Sequence, residues 1–133
     1  MSIFKKIHLF GGIIIVIIFL LTGQYMHHNY DHLKGMELMT RALFRTGHLY
    51  ILLFGLIHIS LGAYYKPSRQ KILKRLQLLG SVLIIIASVL IIYSFFTELP
   101  AYQIERIISR YSLYIVFAGV SIHGFVSLFN KSE

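Results

Sequence analysis

Four long apolar runs separated by short polar segments organise this sequence. They extend from about Ile7 to Gly23, Thr46 to Tyr65, Leu76 to Thr97 and Tyr111 to Asn130. Each comes close to the ~20 residues an α-helix needs to cross a hydrocarbon core of ~30 Å. Ile and Val are frequent in them, but a lipid-spanning sheet must close into a barrel whose strands are about half this length, so helices are expected. The connections leave no room for a soluble insert. Residues 1–133 therefore read as one all-α domain, an integral membrane four-helix antiparallel bundle of up-down-up-down topology.

At 100° per residue, each predicted helix gathers its small and polar residues on one side. The first run groups His8, Gly11, Gly12, Thr22 and Gly23; the second groups Phe44, His48, Gly55, His58 and Gly62. The third carries a looser stripe of Gln77, Gly80, Ala87, Ser88 and Ser94. The fourth lines up Ser109, Ser112, Gly119, His123, Ser127 and Asn130. Small residues are what membrane helices use for close packing, so these stripes are expected to meet in the bundle centre.

Composition agrees: 56% of residues are hydrophobic and 14% charged, where a soluble domain carries about 25% charged residues. With no cysteine, thiolate zinc sites and iron–sulfur clusters are excluded. The net charge of +8 would suggest nucleic acid in a soluble protein. Here its distribution gives an orientation instead, and no nucleic-acid partner is expected. Lys5, Lys6, Lys66, Arg69, Lys71, Lys74, Arg75 and Lys131 fall on one side, and the hairpin Lys66–Arg75 has no acid. Lys34, Arg41, Arg45, Arg106 and Arg110 fall on the other, mixed with Asp31, Glu37, Glu98 and Glu105. The positive-inside rule then places both termini in the cytoplasm of a bacterial-type inner membrane. Lys5 and Lys6 before an apolar run look like a signal peptide, but no small-residue cleavage site follows, so the first run is expected to stay as a helix.

Ionisable residues within such runs are expensive and point to function. His58 lies eight residues before Lys66, and His123 eight before Lys131, which places both about 12 Å in from a flanking lysine at 1.5 Å per residue. In the expected topology their helices stand diagonally opposite. The pair is thus a candidate axial set for one haem b. Gly11, Gly12 and Gly80 would let a porphyrin approach the backbone. His8 lies near the membrane surface and is expected beside lipid headgroups.

In His58, His123 and these glycines the chain resembles membrane cytochromes b of the b561 type, which hold haem between histidines on diagonal helices. The resemblance implies electron transfer through one haem at most. Leu113, ten residues before His123, leaves His48 without a counterpart. The chain is also similar to small bacterial four-helix inner-membrane proteins in which R-x-x-H, here Arg45 to His48, opens the second helix.

A second constellation follows the first run: His27, His28 and His32 with Asp31, and the thioethers of Met26, Met36 and Met39. With His48 nearby, these residues suit copper or zinc on the outer face. The other reading is a solvated interfacial loop.

Phosphate-binding glycine loops, H-E-x-x-H and G-x-S-x-G are absent, and no acid lies within an apolar run. Stand-alone catalysis is not expected. Three readings follow: a haem-b electron-transfer protein, a non-catalytic subunit or assembly factor of a respiratory or other membrane complex with packing histidines, and an outer-face metal binder. All share the bilayer as partner. Alkaline phosphatase fused within residues 98–106 should be active and a C-terminal fusion inactive; the opposite pattern reverses the orientation.

Overall fold

The computed structural model describes residues 3–129. Asn130 and Lys131, used above for the polar stripe and for depth, lie outside the described residues. Four helices account for most of the chain: α1 (Ile3–Tyr30), α2 (Leu38–Tyr64), α3 (Lys71–Thr97) and α4 (Ile107–Phe129). All four are long and apolar enough to cross a membrane. Among the described residues no strand occurs.

The helices outrun the apolar segments because their ends are held by packing. Beyond Gly23, α1 continues to Tyr30. Met26 is buried there, and Tyr25 and Tyr30 meet Phe95 and Phe44 edge-on or tilted. A left-handed turn then ends the helix, with φ of 43°, 56° and 63° at Asp31, His32 and Leu33. Such residues cost about 1–2 kcal/mol each. Burial of Leu33 in the core beside Phe44 and Phe95 offsets part of that cost. Pro67 stops α2. The connection after it is clamped by Gln77, whose amide donates to the Lys66 carbonyl and accepts from the Ser68 N–H, both at 2.9 Å.

Packing divides the bundle into two tight pairs, α1 with α2 and α3 with α4, joined by lighter contact between α2 and α3. Glycines explain the tightness. A Cβ on Gly62 would lie 2.6 Å from the backbone of Leu9, and one on Gly119 would lie 2.8 Å from the Gly80 carbonyl oxygen. The outward faces are apolar, with Phe117 and Leu128 largely exposed, while many serines and histidines are buried. Polar inside and apolar outside inverts the soluble pattern, as expected of helices that meet lipid.

Gly62→Ala should lower the thermal stability of the detergent-solubilised protein by about 1–3 kcal/mol through overpacking. Gly124→Ala, where an added Cβ meets nothing within 4 Å, should be neutral or stabilising by up to ~1 kcal/mol from helix propensity. Equal effects at the two positions would contradict the packing account.

Candidate functional site

The buried polar residues link up near the end of the bundle that carries the α2–α3 connection. His8 Nδ1 lies 3.0 Å from His58 Nδ1, and His8 Nε2 lies 3.0 Å from Ser81 Oγ. Ser81 Oγ is 3.1 Å from His123 Nε2. On the far side of His58, its Nε2 is 3.0 Å from Ser88 Oγ, which donates to the Ile84 carbonyl at 2.8 Å. Each helix contributes: α1 gives His8, α2 His58, α3 both serines and α4 His123. All five side chains are buried, His8 and Ser81 completely.

The end point fixes every donor. A carbonyl only accepts, so the Ser88 hydroxyl is spent on Ile84 and must accept from His58 Nε2–H. Neutral His58 then offers a bare Nδ1, which accepts from His8 Nδ1–H. His8 is left with a bare Nε2, which accepts the Ser81 hydroxyl proton. Ser81 in turn accepts from His123 Nε2–H. One direction thus runs from His123 to Ile84 with every hydrogen bond satisfied.

The same chain accommodates one more proton without losing a bond. If His123 Nδ1 gains a proton, its Nε2–H passes to Ser81, the Ser81 proton to His8 Nε2, and the His8 Nδ1–H to His58. His58 becomes the imidazolium, donating from both nitrogens. Transfer stops there because Ser88 cannot turn away from a carbonyl that has nothing to give. Beyond Ser88, the core holds Phe54, Ile84, Ala87, Ile91 and Val116, with Tyr50 packed against it.

His8 corrects the expectation that it lies among headgroups. α1 begins at Ile3, so His8 is more than a turn inside the helix, and Tyr65 covers it with ring centroids 6.5 Å apart. Ser81 was not anticipated. Its spacing of seven residues from Ser88, two turns on one face, was the available signal.

His58 and His123 do share one neighbourhood, but the residues between them do not fit a porphyrin. The His8 ring stands between, its centroid 4.9 Å from that of His58 and 6.2 Å from that of His123. Both Nε2 atoms that would face iron are bonded to serines. The space beside the three glycines is also filled. Gly11 faces the His58 ring, Gly12 packs on Ile59 and Gly55, and Gly80 packs on His123 and the Gly119 carbonyl.

At the other end, His27, His28 and His32 come together only as a surface group, with His27 4.8 Å from His28 and 3.7 Å from His32 between ring centroids. No group of three or more His, Cys, Asp or Glu able to hold a metal ion occurs among the described residues. His48 turns to α1 instead: its Nδ1 is 2.9 Å from Thr22 Oγ1, and its ring stacks on Phe19.

Glu98 and Arg106, expected only as outer-side charges, form a buried cluster. The Glu98 carboxylate accepts from the backbone N–H groups of Ile108 and Ser109 and from the Ser109 hydroxyl at 2.7 Å. It thereby caps the start of α4, where negative charge is favoured. Arg106 Nη2 donates to Ser109 Oγ at 3.1 Å, and the guanidinium lies 5.5 Å from the Tyr50 ring centroid. Burial pushes the Arg106 pKa down, opposed by Tyr50 and Glu98.

Comparison with protein-family models, curated proteins and solved structures finds no match to this chain.

Protein purified from a haem-replete host should be colourless. A Soret band with sharp reduced α and β bands, lost on replacing His58 or His123, would show that the His8–Ser81 bridge opens to admit a porphyrin.

Proposed function

We propose that this chain is a four-span protein of the cytoplasmic membrane that takes up one proton from the cytoplasmic side and holds it at His58. The observation that carries the reading is the one-directional chain His123–Ser81–His8–His58–Ser88 and its end at the Ile84 carbonyl. With the helices antiparallel and the basic hairpin on the cytoplasmic side, as the positive-inside rule favours, the His123 end would face the cytoplasm. A cavity of about 450 Å³, lined in part by Lys66, Gln77, His123 and Ser127, gives that end an entrance. Such a device stores a proton and does not conduct it, because the chain is closed by a carbonyl and an apolar core. Its role is to supply or accept a proton for a partner in a larger membrane assembly. Imidazole suits the task because its two nitrogens exchange donor and acceptor roles.

The proposal separates from a packing role by proton counting. Reconstituted in proteoliposomes, the wild-type chain should bind one proton shared by the three histidines and should leave transmembrane proton flux at the lipid baseline. His8→Phe, which cuts the chain in its middle, should abolish the shared uptake. Independent titration of the three imidazoles, or no uptake with only a loss of stability in the variant, would overturn it. Flux above baseline that depends on His58 would show conduction instead.

A further inference from the structure

Tyr65 is a wall between two cavities. On one side lies the His123 entrance described above. On the other is a groove of about 250 Å³ between the start of α1, the α2–α3 connection and the first turns of α3. Its apolar lining comes from Phe4, Pro67 and Leu78, and its charge from Lys71, Lys74 and Arg75. Among the described residues, no carboxylate lines it. The cavity at the opposite end differs: there Glu105 accompanies Arg106 and Arg110.

The three cations are placed where they repel. Lys71 and Lys74 are three apart and Lys71 and Arg75 four apart, so they share one face of α3 and like charges there destabilise the helix. They also occupy its first turns, where the peptide dipoles already present positive charge. No acid lies in the first turn and no side chain caps it. The positive-inside rule requires bases on this side of the membrane. It does not require them around an apolar groove. An anion seated among them removes the repulsion.

We propose that this groove binds an anionic phospholipid of the cytoplasmic leaflet, with its phosphodiester among Lys71, Lys74 and Arg75 and an acyl chain along Phe4, Pro67 and Leu78. The apolar lining is what assigns the anion to a lipid, since free phosphate has no use for it. From the preceding section this takes only the membrane-spanning arrangement and its orientation, not the proton chain. The bound lipid would rest against Tyr65, whose ring also meets His8 and His123.

The test is native mass spectrometry of the full chain released from mixed phosphatidylglycerol and phosphatidylcholine nanodiscs. One phosphatidylglycerol should be retained in preference to phosphatidylcholine. Combined Lys71→Gln, Lys74→Gln and Arg75→Gln should weaken retention by at least ~10-fold, while Lys5→Gln with Lys6→Gln should change it little. Leu78→Trp keeps every charge, and so the topology, but fills the groove; it should weaken retention equally. Equal loss in the Lys5/Lys6 variant, or unchanged retention in Leu78→Trp, would reduce the effect to bulk surface charge and overturn the site. Displacement of the lipid by millimolar inorganic phosphate would assign the cations to free phosphate and overturn the lipid. Because proton uptake is not read, this result stands or falls independently of the histidine chain.

Discussion

A hydroxyl held by a carbonyl sets the logic of this protein. The bond from Ser88 to Ile84 is local to one helix, yet it determines which nitrogen of His58 carries a proton, and through His58 the state of every polar group up to His123. The same residues join the two halves of the bundle. Glycine contacts hold α1 to α2 and α3 to α4, but between the pairs backbone packing is light. There the His8–Ser81 and His58–Ser88 bonds cross between the pairs, alongside the ring contacts of Phe95 with Tyr25 and Phe44. Interhelical hydrogen bonds in membranes are worth about 0.6 kcal/mol on average, so these two specify register more than they supply stability. Losing one partner costs more, about 1–3 kcal/mol for each buried group left unpaired.

The two ends of the bundle solve different problems. At the α2–α3 end, neutral imidazoles and serines form a chain that has two fully bonded states differing by one proton. At the other end, Glu98 and Arg106 place opposite charges around the start of α4, and left-handed residues at 31–33 and at Arg106 bend the connections tightly. Between them lies an apolar layer built on Phe54, Ile84, Ile91 and Val116. Tyr50 packs against that layer from the Arg106 side.

Much of the fold was legible in the sequence because apolar length and the spacing of small residues are local properties. The four helices and the inward placement of His58 and His123 follow from them. What periodicity cannot supply is the meeting of residues across helices. His58 and His123 matched in depth and invited a shared iron, but the spacing could not show that His8 stands between them. His8 itself was misplaced because hydropathy started the first helix at Ile7, and a helix that begins at Ile3 carries it inward. Glu98 and Arg106 looked like solvent charges because hydropathy ends a run at the first acid; their burial depends on how two helix ends dock. The loop histidines show the converse. His28 and His32 have helical i, i+4 spacing, but a left-handed turn at Asp31–Leu33 interrupts the helix between them.

The central claim is the direction of the histidine chain, and histidine tautomers report it directly. Nitrogen-15 spectra of the histidine-labelled protein in lipid, taken in the neutral state, should show His8 protonated at Nδ1 and both His58 and His123 protonated at Nε2. His8 protonated at Nε2, or His58 at Nδ1, would mean that Ser88 does not anchor the chain and would contradict the account.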